Sequence, residues 1–515
     1  MSKTIVVIGS GIGGMAAAAL FAKSGYKVCV LEKHEDFIGG HARNLSFSGL
    51  TYSMGPQYVW HFEKDGVGDR FLKYLEIDRE NPFLEMKKDG FERIFIGDRK
   101  NNAPVDFIDF SVPAGFDDFS KNMTARFPEC KTGIKRLFQD MKTMFELSMM
   151  VDRGYGDSSF ITFMSFILSR KYSFFLKLRV IRILFMSLEK FFDSYKISQN
   201  ARRVLYGHGG IFAENESDLS AIAYILATGN YHKSSHYPKY GFFKLFDSLK
   251  QVIEKNGGSV QTGKKAVKLE TSGNKVNRVI CKDGSVHPCD IVMSNISPRL
   301  LAKTLVSVSE KKYSYTPSHS IPACCLGVKR GLGIRQQLAG RNFWWMDGRG
   351  EVNYNNPDVT VPPKMLYIAS STANGFGNLA ETDEADSLVV FCPGNYKQEK
   401  AIHDKGSEVL KEFKSKLSEE IVEIIDRNVI PGVKKNFLFS HILTSIDIER
   451  DTAAELGNAY GRRVSVKEML KGFLKLPGEG YTNLYHVSAT ANGAGVANGI
   501  SAAVGLLKKL ADISV

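Results

Sequence analysis

The spacing of apolar and polar positions divides this chain into a few recurring units. Ile5 to Ile8 is a short apolar run, rich in β-branched residues and bounded by glycine, the pattern of a buried parallel strand. Met15 to Lys23 is alanine-rich and favours helix, and Ser24-Gly25 ends it. Lys27 to Leu31 is a second strand, with Glu32 at its end. That order predicts a βαβ unit. Leu45 to Tyr52 alternates around Gly49 and predicts a hairpin, and Phe91–Ile96 and Pro104–Phe110 read as strands. Lys131 to Met150 carries Ile134, Leu137, Phe138, Met141, Met144 and Phe145 at helical spacing.

The second half repeats the alternation. Phe242 to Glu254 is an amphipathic helix stopped by Gly257-Gly258. Strands are expected at Ser259–Gln261, Ala266–Glu270, Arg278–Cys281 and Asp290–Ser294, with turns at Ser272–Asn274 and Asp283-Gly284. Strand-like pieces lie at Ile321–Gly327, Met365–Ala369 and Ser387–Phe391, and a charged helix at Ser407–Arg427. Leu484–Val487 is a strand, Thr490–Gly495 a loop of small residues, and Val496–Leu510 a closing helix. The predicted class is α/β. At 515 residues the chain is too long for one ordinary core, so two or more domains are expected.

Composition narrows the partners. Apolar residues make up 43% and charged residues 24%, which is globular. The net charge of +13 suits an anionic partner, either a membrane surface or nucleic acid. No zinc-finger, RNP or helix-turn-helix signature supports nucleic acid. Seven cysteines without C-x-x-C argue against a disulfide framework or metal site, and adjacent Cys324 and Cys325 read as packing residues. No signal or transit segment precedes the first strand, so a cytoplasmic location is expected, with membrane contact from that side.

Ser158 to Ile197 suggests where. It is dense in phenylalanine, with Arg170, Lys171, Lys177, Arg179 and Arg182 interleaved. Its longest uncharged run, Ser158–Ser169, falls short of the roughly 18–20 residues a spanning helix needs. The pattern predicts a peripheral, monotopic helix pair, aromatics in the acyl boundary and cations on headgroups.

The candidate chemistry begins in the first βαβ unit. Gly9, Gly11 and Gly14 form G-x-G-x-x-G, with Ser10, Ile12 and Gly13 between them. The motif gives a tight turn, a close approach for pyrophosphate and close helix packing, and the following helix N-terminus favours phosphate. Glu32 stands where an acid meets the adenosine ribose.

Beyond Glu32 the block Lys33–Arg43, with Gly39-Gly40-His41-Ala42-Arg43, resembles the extension of the flavin amine oxidase and phytoene desaturase superfamily. The spacer from Glu32 to Gly39 is one residue longer than usual there. Further segments resemble its phytoene desaturase, carotenoid isomerase and retinol saturase branch. Met54-Gly55-Pro56-Gln57-Tyr58-Val59-Trp60-His61 matches a segment that runs beneath the flavin, with Ser53 where Asp is common. Tyr231–Gly241 matches a His/Tyr/Pro/Gly region, and Met293–Pro298 closes the middle cofactor segment, in which Val267 would meet the adenine. Gly493, Gly495 and Val496 match the C-terminal helix start, with Ser488 and Ala497-Asn498 departing from its usual glycine and Pro-Gly.

The resemblance implies FAD, bound by a Rossmann-type, glutathione-reductase-like domain in three parts (1–62, 239–299 and 441–515). A substrate domain of α+β type would be inserted at 63–238 and 300–440. It implies an apolar polyene or isoprenoid substrate, desaturated, saturated or isomerised with the flavin as hydride carrier and little acid–base help. Tyr58 and Trp60 are the side-chain candidates. Oxygen, quinone or NAD(P)H would be the electron partner. Two other readings share the resemblance: an amine or protoporphyrinogen oxidase, and a prenyl-binding protein without turnover, like GDP dissociation inhibitors and Rab escort proteins. His208, His232 and His236 read first as packing residues.

Overall fold

The computed structural model describes residues 3–99, 107–149, 166–303, 315–349, 352–375, 384–473 and 480–515. Its first layer is a five-stranded parallel sheet in the order Leu484–His486, Ile291–Ser294, Thr4–Ile8, Lys27–Leu31, Ser259–Gln261. The strands come from three separate stretches of chain, so the sheet closes only through long-range pairing. Helices Ile12–Lys23, Gly241–Lys255 and Val496–Ala511 cover one face, burying Phe21, Leu249, Ile500 and Leu507 with Ile5 and Val7. The other face presents Val6, Ile8 and Val292 to a three-stranded antiparallel meander, whose Leu269, Val276 and Val279 meet them. Burial on both faces explains why these strands read as unbroken apolar runs.

The second layer is a seven-stranded sheet in the order Phe437–Leu443, Ala323–Lys329, Ala385–Phe391, Met365–Ala369, Asn342–Met346, Glu92–Ile96, Ile108–Val112. All pairs are antiparallel except Asn342–Met346 with Glu92–Ile96. One face packs Phe95, Leu326, Phe343 and Ile368 on Leu417, Ile421 and Ile425 of the helix Ser407–Asn428. The opposite face, with Ile94, Cys325, Trp344, Tyr367 and Val389, looks into the largest apolar cluster of the protein. Helices Phe116–Arg126, Lys131–Met149 and Ala221–Lys233 close that cluster through Phe119, Leu137, Phe138 and Tyr224. Cys324 and Cys325 therefore point into opposite cores, as alternation along a strand requires.

Most expected elements form, with instructive shifts. The first helix begins at Ile12 rather than Met15, so Gly13 and Gly14 are helical: the glycines that bring the turn close also enter the first turn. Thr490–Gly495 is not all loop; Ala489–Asn492 makes a helical turn, with Asn492 Nδ2 donating to His486 O at 2.9 Å. A strand at Val286–Pro288 completes the meander between Asp283-Gly284 and the parallel strand Ile291–Ser294. The Pro104–Phe110 strand lies partly outside the described residues; the part seen runs Ile108–Val112.

The aromatic stretch divides. Residues 158–165 lie outside the described residues. Phe174–Leu184 forms a helix capped by Ser173, whose Oγ accepts from Leu176 N, and it carries exposed Phe174, Phe175 and Leu178. Leu188–Asp193 instead buries Leu188, Phe191 and Phe192 in the large core. Of the expected interfacial pair, the part in Ser158–Ser165 lies outside the described residues, and the described remainder holds one exposed helix and one core helix. Its i, i+3, i+4 apolar pattern fits either partner, lipid or protein. Among the described residues no helix is long and apolar enough to cross a membrane.

Candidate cofactor and substrate site

The glycine motif sits at the carboxyl end of Thr4–Ile8 in the middle of the parallel sheet, the position where such sheets bind nucleotides. Three glycines there have no room for a side chain. A Cβ on Gly13 would overlap the Val487 carbonyl oxygen, one on Gly14 the Gly9 carbonyl, and one on Gly11 the Asn295 amide nitrogen. Gly40 takes a positive φ of 56° and stands against Gly11, so the two glycine loops meet face to face. Gly39 N donates to Ser10 O at 3.2 Å across the same seam. This is a groove floored by main chain, the surface a pyrophosphate needs.

Glu32 is buried at one end of the groove. Its Oε2 accepts from Ser10 N at 3.0 Å and Ser10 Oγ at 2.5 Å, and its Oε1 from His34 N at 3.0 Å. Oε1, with a single donor, keeps acceptor capacity for a ribose hydroxyl. Gly263 N and Lys264 N donate to the His34 and Glu32 carbonyls, both at 2.7 Å, tying the segment before Val267 to the same corner. Val267 sits at a break in register: Ala266 pairs with Cys281 and Lys268 with Ile280, so Val267 is the extra residue. A bulge leaves main-chain groups unpaired, which suits an adenine edge.

The basic residues behave less simply. Arg43 is buried and its guanidinium donates to Asp451 Oδ2 at 2.8 Å, so its charge is already matched. Burial, and Arg43 beside it, lower the His41 imidazole to about 4. Lys33 is also lowered, chiefly by burial, and its Nζ donates to Arg450 O at 2.7 Å. The helix N-terminus and the main-chain N–H groups are therefore left as the main positive ends facing the groove. Arg43 Nε, both side-chain polar atoms of Asn44, and Ser488 Oγ are buried with no hydrogen-bond partner among the described residues. Orphaned donors beside a glycine-floored groove fit an anionic nucleotide. The residues present fit FAD.

The far end of the groove is set by the closing helix. Gly495 caps it, Val496 is its first, buried residue, and Gly499 packs on Ile12 and Gly13. The two helix N-termini thus lie side by side, with Gly493 just upstream against Asn498. Trp60 borders Gly495, at 3.5 Å from where a Cβ would stand. The Gly55–Tyr58 turn is held from within: Gln57 Nε2 donates to Ser53 O at 2.7 Å and Gly55 O at 3.1 Å, and Ser53 Oγ to Pro56 O at 3.3 Å. Gly55 itself lies against the His41 carbonyl.

From this turn Tyr58 points inward. Its ring lies 4.3 Å from Tyr231, which also meets Trp60 edge-on at 4.7 Å. The Tyr58 phenol donates to Glu92 Oε1, which also accepts from Trp344 Nε1 at 3.1 Å. Burial pushes the Glu92 carboxyl up to about 7 against those two hydrogen bonds, and raises the Tyr58 phenol well above its ordinary value. His208 is buried beside Glu92, lowered to about 4 by burial, while His232 packs among Phe91, Phe116 and Phe119. His236 accepts or donates to Ser234 Oγ at 3.0 Å in a short strand.

Sequence reasoning did not select Asn295, whose Oδ1 accepts from Gly14 N at 3.1 Å and so secures the glycine turn. It also passed over Glu92. Glu92 had a signal: it is in phase with Ile94 and Ile96, on what alternation makes a buried face.

Residues 7–75 match the model of the NAD(P)-binding Rossmann-like domain. Along essentially the whole chain, the sequence is 25% identical over 514 residues to the 1-hydroxycarotenoid 3,4-desaturase of a Flavobacterium species, covering 96% of each protein. It is 24% identical over 508 residues to the 4,4'-diaponeurosporene oxygenase of Staphylococcus haemolyticus, covering 96% of this chain and 94% of that one. Among solved structures, putrescine oxidase bound to putrescine superposes with a TM-score of 0.66 over 99% of both chains at 12% identity.

Proposed function

We propose that this chain, an FAD-dependent oxidoreductase with a Rossmann-type cofactor domain, removes hydrogen from an apolar polyene of the carotenoid type to form carbon–carbon double bonds. The whole-length likeness to a carotenoid desaturase carries this reading. The interior agrees with it. The large sheet turns Ile94, Trp344, Met365, Tyr367 and Val389 into one apolar and aromatic interior that also holds Tyr52, Met54 and Tyr58, chemistry suited to a long hydrocarbon.

The flavin, when bound, supplies the hydride acceptor. The chain's own residues do the rest. Gly11, Gly13 and Gly14 would admit the pyrophosphate to main-chain N–H groups, Glu32 would hold the ribose, and Val267 would present its backbone to the adenine. Gly493, Gly495 and Val496 would present a helix N-terminus to the ring and stabilise the negative charge that reduction brings. Tyr58, Trp60 and Tyr231 exclude water from the reacting carbons.

The same reading delivers the substrate from a membrane. Leu168, Phe174, Phe175, Leu178 and Phe185 are exposed together, Phe175 at 81%. Arg170, Lys171 and Arg182 are exposed among them, whereas Arg179 is committed to Asp140 at 2.9 Å. Such a surface lies on anionic headgroups with its aromatics in the acyl boundary.

The test is incubation of the FAD-loaded protein with a panel of carotenoids, reading product masses. Loss of hydrogen pairs is the expected result. Gain of hydrogen, gain of oxygen, or a changed retention time at constant mass would replace desaturation by saturation, oxygenation or isomerisation. Oxidation of amines or porphyrinogens, with no carotenoid turned over, would overturn the substrate class.

A further inference from the structure

Glu92 is 1% exposed on a sheet face otherwise made of Ile94, Ile96, Trp344 and Tyr367, and among the described residues no lysine or arginine pairs with it. Its Oε1 accepts from the Tyr58 phenol and Trp344 Nε1. Its Oε2 stands 3.4 Å from His208 Nδ1, and neither ring nitrogen of His208 has a hydrogen-bond partner among the described residues. The groups facing Glu92 are Tyr58 from the cofactor-side turn, Trp344 and Tyr367 from adjacent strands, His208, and Tyr224 and Tyr231 from one helix. None brings a fixed positive charge.

A carboxyl here has a cost that packing alone does not require. Glutamine would accept the same two hydrogen bonds without the burden of a buried charge. What glutamate adds is a proton that comes and goes. Burial places that exchange at about 7, where working conditions populate both forms. The cluster is also connected to the cofactor groove: Glu92 holds Tyr58, Tyr58 and Trp60 share Tyr231, and Trp60 borders Gly495.

We propose that Tyr58 and Glu92 form a proton relay that takes up the proton the substrate loses, Tyr58 being the catalytic residue that meets the substrate and Glu92 the positioning residue and proton store behind it. The proposal rests on the desaturase reading. In forming the double bond, one carbon gives up hydrogen with its electron pair to the flavin, leaving a cation delocalised along the polyene. Hydride return competes until the neighbouring carbon loses a proton and its C–H electron pair becomes the new π bond, so proton uptake draws flavin bleaching forward. That proton bonds to the Tyr58 oxygen as the phenol's own proton passes to Glu92 Oε1. The phenol is never left as a free phenolate, which its burial forbids, and Glu92 ends neutral. A polyene cation is acidic enough for so weak a base.

Three FAD-loaded proteins test it: wild type, Glu92→Gln and Tyr58→Phe. Infrared difference spectra across pH should show a buried carboxyl titrating near pH 7 in wild type, absent in Glu92→Gln and displaced in Tyr58→Phe. On anaerobic mixing with a carotenoid, wild-type flavin bleaching should speed up with rising pH through the same midpoint, because the carboxylate is the accepting form. Glu92→Gln should bind FAD as wild type does but bleach about 10²–10⁴-fold more slowly, with a flat pH profile. A Glu92→Gln protein that bleaches at the wild-type rate with the wild-type pH profile overturns the relay. So does the absence of a carboxyl titrating between roughly pH 5 and 9. Should wild type bleach with no carotenoid, the desaturase reading falls, and the infrared titration still decides for or against Glu92 as a proton store.

Discussion

Gly13→Ala sets two effects of known size against each other. Gly13 lies inside the first helix with an ordinary helical backbone, so alanine there gains about 1 kcal/mol in helix propensity. The added Cβ, however, overlaps the Val487 carbonyl oxygen and lies 3.1 Å from both the carbonyl carbon and Asn295 Oδ1. Val487 cannot yield easily, because its own N–H donates to Ser294 O at 2.8 Å in the parallel sheet. The helix N-terminus must therefore retreat, at an overpacking cost of about 1–3 kcal/mol. The retreat also withdraws first-turn N–H groups from the pyrophosphate. Hydrogen bonds to a charged group are worth about 1.5–3 kcal/mol each, so losing one or two weakens FAD by about 10- to 10⁴-fold. Gly25→Ala is the control: its φ of +86° strains any side chain, but nothing lies within 4 Å and it is remote from the groove. It should lower the melting temperature and leave FAD affinity unchanged. Flavin fluorescence quenching gives the affinity, and thermal unfolding of the apoprotein the stability. A Gly13→Ala protein binding FAD within about twofold of wild type would show that the first helix does not hold the phosphates.

Four further outcomes follow from the same geometry. Glu32→Ala leaves Ser10 and His34 N–H groups without their acceptor and should lower the flavin-to-protein ratio of the purified protein about tenfold or more, read from absorbance. Asp451→Asn breaks the buried pair with Arg43 and should cost about 3–5 kcal/mol of stability by urea unfolding, whereas exposed Asp404→Asn should leave the urea midpoint nearly unchanged. Replacing Arg170, Lys171, Lys177 and Arg182 by glutamine removes about 1 kcal/mol of headgroup attraction each and should abolish co-sedimentation with anionic vesicles at moderate salt; undiminished co-sedimentation would refute the membrane surface. The last concerns pH. Burial lowers His232 to about 3, so between that value and its ordinary 6.5 the unfolded chain binds a proton the folded chain does not, and stability falls as pH drops through that window. His232→Phe should flatten this acid limb by a few kcal/mol, about 3–5 at most, in urea midpoints compared at about pH 4 and about pH 7. Glu92 acts in the opposite sense: raised to about 7, it stabilises below its ordinary range and loses that contribution as pH rises through 7.

The cradle was legible because it is local. Strand, glycine turn, helix, strand and acid fall within Thr4–Glu32, and periodicity and turn chemistry suffice to read them. Val267 and the closing helix at Val496 enter through resemblance alone, and the structure adds a register break at Val267. The interior was not legible. Glu92, His208, Trp344 and Tyr58 come from four distant segments, and only the parallel pairing of Glu92–Ile96 with Asn342–Met346 puts the indole beside the carboxyl. No local pattern encodes that pairing. The exposed and buried halves of the aromatic stretch were inseparable for a related reason: Phe175 and Phe192 differ in their neighbours, not in their spacing.

The cradle also has a timetable. Its first wall, Thr4–Glu32, leaves the ribosome early, whereas Val487, which closes on Gly13, and the helix Val496–Ala511 come hundreds of residues later. At translation speeds of about 5–20 residues per second, tens of seconds separate the two. Throughout that interval the apolar strands Thr4–Ile8 and Lys27–Leu31 have lower edges and faces unmatched, and the glycine turn lacks the carbonyl that fixes it. Both walls of the flavin groove therefore coexist only once Val496–Ala511 is made, and until then the glycine turn waits for its closing carbonyl.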